Sequence, residues 1–144
     1  MCQIMRQERF KLAFNVDPAR LRSVRKLVAS YVRRWELEAL AEPAEAVVTE
    51  LLTNVLHHAD GYAVLTLAVE GQSLFITVRD RSSELPVLAD PGWASLGGRG
   101  MRIVEQLSDK WEAIPVENGK DVCATLIAPA ELPEGRRSLA RCSA

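Results

Sequence analysis

Apolar and polar residues follow two different periods in the first part of the chain. Residues 10–16 alternate with period two, which predicts a half-buried strand. Residues 18–35 carry apolar side chains at helical spacing, which predicts an amphipathic helix with Asp17 as N-cap and Pro18 at its first position. The outer face of this helix is basic and contains no acid. Its charged residues are Arg20, Arg22, Arg25, Lys26, Arg33 and Arg34.

A second helix and two strands are predicted in the middle of the chain. The helix begins at Glu42-Pro43 and continues to about residue 59, where Asp60-Gly61 indicates a turn. Residues 62–70 and 73–80 are apolar and β-branched, which predicts two strands. Gly71-Gln72 between them is typical of a two-residue hairpin loop.

The periodicity is then interrupted and resumes near residue 100. Residues 81–99 are rich in glycine, proline and serine, which predicts a long loop of the kind that often forms a lid. A short helix is predicted over 100–107, and two more strands over 111–116 and 122–128. Because the strands occur in adjacent pairs, the order predicts an α+β fold. We expect a two-layer α/β sandwich, in which a mixed, mainly antiparallel sheet carries its helices on one face.

Length and composition indicate a single domain. With 144 residues, the chain is expected to fold over 1–128 and to end in a mobile tail over 129–144. A net charge of −1 gives no overall bias toward nucleic acid. No run of apolar residues is long enough for a transmembrane helix or a signal peptide. The cysteines, Cys2, Cys123 and Cys142, form neither a disulfide framework nor a zinc motif, so we expect a cytoplasmic protein.

The second predicted helix carries polar residues that suggest chemistry. A step of about 100° per residue places Glu50, Asn54 and His57 on one side, opposite the apolar residues. A carboxylate and an amide one turn apart can bind one ligand, because the carboxylate accepts a proton or a cation and the amide oxygen is a hard metal ligand. The simpler interpretation is an amphipathic helix whose polar face meets water.

Two further features lie at the ends of the predicted long loop. Asp80 ends an apolar strand, where its carboxylate can accept a hydrogen bond from an exocyclic amine such as that of adenine; a turn-forming aspartate is the alternative. Gly97-Gly98-Arg99-Gly100-Met101 leads directly into the third helix. Unshielded backbone N–H groups at a helix start make an anion site, and Arg99 adds a positive charge. A flexible hinge before an ordinary helix is the alternative here.

The order of these features resembles a known family. No P-loop and no dinucleotide-binding glycine motif occurs. Instead, E-x-x-x-N on a helix, a strand ending in D-R-S-S-E-L-P, a long loop and G-G-R-G-M resemble the nucleotide-binding boxes of the GHKL (Bergerat-fold) ATPases, the histidine-kinase-like ATPases. The helix sequence T-E-L-L-T-N-V-L-H-H-A is most similar to the small anti-sigma-factor serine kinases of the RsbW and SpoIIAB type. The resemblance covers about residues 10–126.

The resemblance implies a role for each matching residue. Glu50 would be the general base that activates the attacking hydroxyl, and Asn54 would hold Mg²⁺ against the phosphates. Asp80 would accept the adenine amine, and His58 matches a family position without an assigned role. The phosphates would lie under the lid against the start of the third helix. The residues implied there are Gly98, Arg99, Gly100 and Met101.

The sequence departs from the family pattern in the first and last boxes. Ser82 replaces the first-box glycine. Gly119 matches the last box, but Lys120 and Asp121 follow it in place of the usual threonine, and Thr125 is the next threonine. An aspartate near phosphates is unfavourable unless Mg²⁺ or Lys120 offsets its charge, so Asp121 predicts weak nucleotide binding and favours a protein without kinase activity.

Three classes of function follow from these observations. The resemblance implies an ATP- and Mg²⁺-dependent protein serine/threonine kinase that is also an anti-sigma factor. Its partners would be an alternative sigma factor and a STAS-domain anti-anti-sigma protein that it phosphorylates, and it would be a homodimer. A degenerate binding module that acts by sequestration alone is the second class. The third is a detached histidine-kinase catalytic domain, which would need its phospho-accepting histidine in trans. The basic helix suggests an acidic partner or a solvated face, and its few aromatic residues argue against nucleic acid.

Overall fold

The strands and helices of the described part of the chain follow one another in the order that the sequence predicts. The computed structural model describes residues 7–84 and 96–129, with only the backbone for 96–100. Predictions for the loop over 85–95 and for the tail from residue 130 lie outside these residues. The elements are β1 (Gln7–Asn15), α1 (Pro18–Arg34), α2 (Ala41–His58), β2 (Tyr62–Glu70), β3 (Ser73–Asp80), α3 (Leu96–Leu107), β4 (Lys110–Val116) and β5 (Gly119–Ile127).

The strands form one sheet in the order β1-β2-β3-β5-β4. Every neighbouring pair is antiparallel. Two tight hairpins join β2 to β3 and β4 to β5, and α1 and α2 connect β1 to β2. Antiparallel strands need only such short turns, so strands that are adjacent in the sequence pair easily. The α+β prediction and the mainly antiparallel sheet are therefore confirmed.

The two faces of the sheet differ in burial because successive side chains point to opposite sides. On β2 and β3, every second residue is buried against the helices, and Leu65, Leu67 and Ile76 are fully buried there. The other face is open, and we call it the open face. It carries the intervening residues of all five strands, among them Thr66, Thr77 and Cys123. The predicted arrangement of helices on one face is thus confirmed.

The two long helices are anchored by the residues that the periodicity singles out. In α1, the Asp17 side chain accepts a hydrogen bond from the Arg20 N–H at 2.8 Å, so the predicted N-cap is confirmed. Burial of each large aliphatic side chain in the apolar stripe of α2 contributes about 1.5–3 kcal/mol. These residues are all 2% exposed or less: Val48, Leu51, Leu52 and Val55.

Several predicted boundaries differ from the structure, among them the start of β1 at Gln7 in place of residue 10, and three of them bear on the site. A 3₁₀ turn at Glu38–Leu40 precedes α2, which therefore begins at Ala41. The helix α3 begins at Leu96, so the glycine cluster lies in its first turns and not in a loop before it. Glycine disfavours a helix by about 1 kcal/mol per residue, but the buried Met101 and Val104 anchor this helix against α2.

The third boundary concerns the last strand. β5 begins at Gly119, three residues earlier than predicted, and takes Lys120 and Asp121 into the sheet. Charged residues are poor strand formers, but here each has an opposite charge as its cross-strand partner on β3. Among the helices of the described chain, none is long and apolar enough to cross a membrane.

Candidate functional site

The polar side of α2 faces α3. Glu50 and Asn54 are half-buried on this side, one turn apart. The Asn54 Nδ2 donates a hydrogen bond to the sulfur of Met101 at 3.2 Å. Met101 belongs to the glycine-rich sequence at the start of α3 and is 1% exposed. The structure therefore brings two separate predicted motifs together, and Asn54 is the residue that joins them.

Glu50 lies in a partly desolvated environment. Burial raises the pKa of its carboxyl above the ordinary value for glutamate. Within the described residues, its side chain has neither a hydrogen bond nor an ion pair. A partly buried carboxylate of raised pKa is a better proton acceptor than a fully solvated one, as a general base requires. His57 and His58, on the last turn of the same helix, are exposed.

Asp80 is held by two donors at the end of β3. Its carboxylate is 4% exposed and lies 2.8 Å from the Lys120 ammonium, which is 7% exposed. Its second oxygen accepts a hydrogen bond from the Ser82 N–H at 2.9 Å. A buried ion pair of this kind is stable only with good geometry and additional hydrogen bonds, and both are present. The sequence predicts Asp80 as a site residue but does not reveal Lys120 as its partner.

The register of β3 and β5 explains this pairing. Arg79 lies opposite Asp121, and Asp80 lies opposite Lys120, so two successive cross-strand pairs carry opposite charges. Because adjacent residues point to opposite faces, the Asp80–Lys120 pair lies on the helix side and the Arg79–Asp121 pair on the open face. The Arg79 guanidinium binds Asp121 through two hydrogen bonds of 2.6 and 2.8 Å. These hydrogen bonds raise the pKa of Arg79.

This arrangement corrects the interpretation of Asp121. From the sequence, the negative charge of Asp121 is predicted to lie near the phosphates and to weaken nucleotide binding. In the structure, the sheet separates the Asp121 carboxylate from Asp80, and Arg79 neutralises it. The argument for a degenerate site that rested on Asp121 therefore no longer holds.

Gly119 lies against the same end of β3. A Cβ at this position would collide with the Asp80 carbonyl oxygen and would lie 3.1 Å from the Arg81 Cα. The approach of the two backbones thus requires glycine, which gives Gly119 a structural role beside Asp80. Thr125, in contrast, pairs with Phe75 and lies on the open face. The structure does not bring Thr125 together with the other predicted site residues.

The described part of the site suits a nucleotide by its chemistry. One end of the helix-side surface presents a buried carboxylate and a buried ammonium, and α2 presents a carboxylate and an amide beside the start of α3. The backbone of Gly98 lies in the first turn of α3, where N–H groups lack intrahelical partners and are available to an anion. Gly100 is the fifth residue of the helix, so its N–H is placed to bond the Leu96 carbonyl. Across residues 7–84 and 96–129, no three His, Cys, Asp or Glu residues are grouped to hold a metal by themselves.

Comparison with protein families identifies the class to which this fold and site belong. The chain matches the histidine kinase-like ATPase domain over residues 14–126. The chain is therefore a member of the histidine kinase-like ATPase family, and the predicted family is confirmed. Membership implies ATP as the ligand of the site. A comparison with curated protein sequences gives no significant match.

Two solved structures share the fold. The crystal structure of the RsbU and RsbW domains of Rv1364c from Mycobacterium tuberculosis superposes with a TM-score of 0.66 and 16% identity, over 88% of this chain and 34% of that one. A chain of the SiaB–SiaC complex from Pseudomonas aeruginosa superposes with a TM-score of 0.59 and 12% identity, over 80% of this chain and 88% of that one. At these identities, the similarity shows the fold alone.

Proposed function

We propose that this protein is an anti-sigma factor with ATP- and Mg²⁺-dependent protein serine/threonine kinase activity. The observation that carries the proposal is the hydrogen bond between Asn54 and Met101, which sets the Glu50–Asn54 face of α2 against the glycine-rich start of α3. Such a junction would supply a base, a metal ligand and an anion site within one helix pair.

Each residue of this junction would have a separate role in phosphoryl transfer. ATP supplies the phosphoryl group, and Mg²⁺ neutralises its charge. Asn54 would hold the metal through its amide oxygen. Glu50 would accept the proton of the serine hydroxyl as that oxygen attacks the γ-phosphorus and the bond to the bridging oxygen breaks. Backbone N–H groups in the first turn of α3, such as that of Gly98, would stabilise the negative charge on the phosphates.

The proposed partners follow from the family resemblance and from the solved relatives. One would be an alternative sigma factor held inactive, and the other a STAS-domain anti-anti-sigma protein phosphorylated on serine. A solved relative contains an RsbW domain. We also propose a homodimer that acts in the cytoplasm, without direct contact to nucleic acid or membrane.

A sequestering module without kinase activity is the main rival. The half-buried Glu50 and the Asn54 side chain favour an enzyme, because a module that only sequesters has no need of a partly desolvated carboxylate that no described residue pairs. The Asp121 charge, which had favoured the rival, lies on the other face of the sheet.

Nucleotide binding by isothermal calorimetry tests the proposal most directly. Wild-type protein should bind ATP more tightly with Mg²⁺ than without it, and Asn54→Ala should lose this metal dependence. Glu50→Gln should still bind ATP but should lose phosphoryl transfer by a factor of about 10²–10⁴, because the general base is removed. Thr53→Ala, on the same helix, is the matched control and should bind as wild type does.

The outcomes separate the two functions. Metal-dependent ATP binding that Asn54→Ala abolishes would support the site and justify a search for the phosphorylated partner. Absence of binding at millimolar ATP would exclude the proposed kinase activity and favour sequestration alone. A Glu50→Gln variant that phosphorylates its partner at the wild-type rate would remove Glu50 as the base.

A further inference from the structure

The buried Asp80–Lys120 pair retains unused hydrogen-bonding capacity. An ionised carboxylate offers about four lone-pair positions, and an ammonium offers three N–H donors. Asp80 accepts one hydrogen bond from the Ser82 N–H and pairs with Lys120. Of the residues that the structure describes, Asp80 is the one partner of the Lys120 ammonium. Both side chains are more than nine-tenths buried, so unused donors and acceptors at this position are costly unless a ligand uses them.

The pair lies at the edge of the fold, on the same side of the sheet as the proposed nucleotide site. Asp80 is the last residue of β3, and Lys120 is the second residue of β5, so the pair lies at one end of the sheet. It faces the helices, as do the polar residues of the proposed nucleotide site. Gly119 keeps the two backbones close together here, which fixes the acceptor and the donor side by side.

We propose that Lys120 reads the edge of the adenine base beside Asp80. With the Asp80 carboxylate as the acceptor of the exocyclic 6-amino group, as the family resemblance implies, the Lys120 ammonium donates a hydrogen bond to the adjacent ring nitrogen N1. This inference rests on the proposed nucleotide-binding function and adds a specificity-determining residue to it. Guanine presents the opposite order, with an acceptor at position 6 and a donor at position 1, so the pair disfavours guanine nucleotides.

The neighbouring charges support this assignment. Arg79 and Asp121 neutralise each other on the open face, so neither competes for Asp80 or Lys120. Arg81 points elsewhere, since it binds Asp60 at 2.8 Å and stacks over the Tyr62 ring at 4.4 Å. Lys120 is therefore the cation that the described residues place at the Asp80 carboxylate.

The test compares nucleotide analogues on the wild-type protein by calorimetry. 1-Deaza-ATP lacks the N1 acceptor, and 7-deaza-ATP is the matched control because it lacks a ring nitrogen on the other side of the base. We expect 7-deaza-ATP to bind as ATP does and 1-deaza-ATP to bind about tenfold or more weakly, because a hydrogen bond to a charged group is lost. GTP should also bind weakly.

A variant then assigns the effect to Lys120. Lys120→Met alone leaves a buried charge, so the double variant Asp80→Asn with Lys120→Met is used as well, because it replaces the ion pair by neutral groups. In the double variant, 1-deaza-ATP and ATP should bind equally, while purine riboside triphosphate, which lacks the 6-amino group, should still bind more weakly than ATP.

The outcomes distinguish this inference from the function on which it rests. If ATP binds and 1-deaza-ATP binds just as tightly to the wild type, Lys120 does not read N1, and the nucleotide site stands without it. If the double variant keeps the discrimination, another residue reads N1. If ATP itself does not bind, the proposed function and this inference both fall.

Discussion

At the scale of single residues, the partial burial of Glu50 favours its proposed role as a base but lowers the stability of the fold at neutral pH. Burial raises its pKa, so the folded protein binds this proton more tightly than the unfolded chain does. The stabilising contribution of the proton is complete below the unfolded pKa, about 4.3, and is lost as pH rises through the higher folded pKa. At neutral pH, the carboxylate is therefore a small cost to the fold.

Replacement of Glu50 should remove this cost. We expect Glu50→Gln to be as stable as the wild type near pH 4 and more stable at pH 7, by up to about 0.5 kcal/mol, because the carboxylate is only partly buried. Urea unfolding at both pH values measures the difference. Glu45→Gln, in the same helix, controls for the loss of a helix carboxylate and should lack this pH-dependent gain. A lower stability of Glu50→Gln at pH 7 would contradict the prediction.

The sequence predicts which residues share a surface better than it predicts the residues with which they pair. Glu50 and Asn54 could be grouped because helical spacing fixes which residues share a face. Asp80 could be identified as a residue at a strand end, but the ion pair with Lys120 depends on the register of two strands 40 residues apart. The same missing register led to the wrong environment for Asp121.

At the scale of elements, β3 and β5 contain a natural comparison between a buried and an exposed ion pair. Successive positions pair Arg79 with Asp121 and Asp80 with Lys120. The chemistry is similar, but the Arg79 side chain is 55% exposed, while Asp80 and Lys120 are almost fully buried. Breaking a buried pair leaves an uncompensated charge, whereas water solvates the remaining partner of an exposed pair.

The two pairs should therefore differ in their effect on stability. We expect Lys120→Met to lower the free energy of unfolding by about 3–5 kcal/mol, because it leaves the Asp80 carboxylate buried and unpaired. Asp121→Ala should change stability little, because the Arg79 guanidinium remains in water. Chemical denaturation of both variants measures this difference. Equal losses of unfolding free energy in the two variants would show that burial does not determine the cost of breaking an ion pair.

Some element boundaries can be predicted from sequence patterns and others cannot. The limits of β2 and β3 could be predicted to the residue, because their apolar residues are bounded by clear turn residues. The start of α3 could not, since a glycine cluster is a poor helix former and only tertiary packing of Met101 and Val104 against α2 offsets it. Likewise, β5 includes two charged residues that only their cross-strand partners make compatible with a sheet.

At the scale of the whole molecule, the helices cover one face of the sheet and leave the other exposed. Apolar side chains lie on the open face, including Ile127, 51% exposed, and Ile114, 46% exposed. These two isoleucines are therefore positions at which an association through the uncovered face of the sheet can be tested. The sequence could not reveal this surface, because period-two alternation does not say which strands lie side by side.

This face is the surface on which we expect the proposed homodimer to form. Two sheets can pack face to face, and a twofold dimer uses the same surface on both subunits, so one substitution acts twice. Ile127→Lys should therefore shift the protein from dimer to monomer in sedimentation-velocity measurements. Leu27→Lys is the matched control, because Leu27 is a 37% exposed aliphatic residue on α1, in the helical layer. A dimer that survives Ile127→Lys but is lost in Leu27→Lys would place the interface on the helices instead.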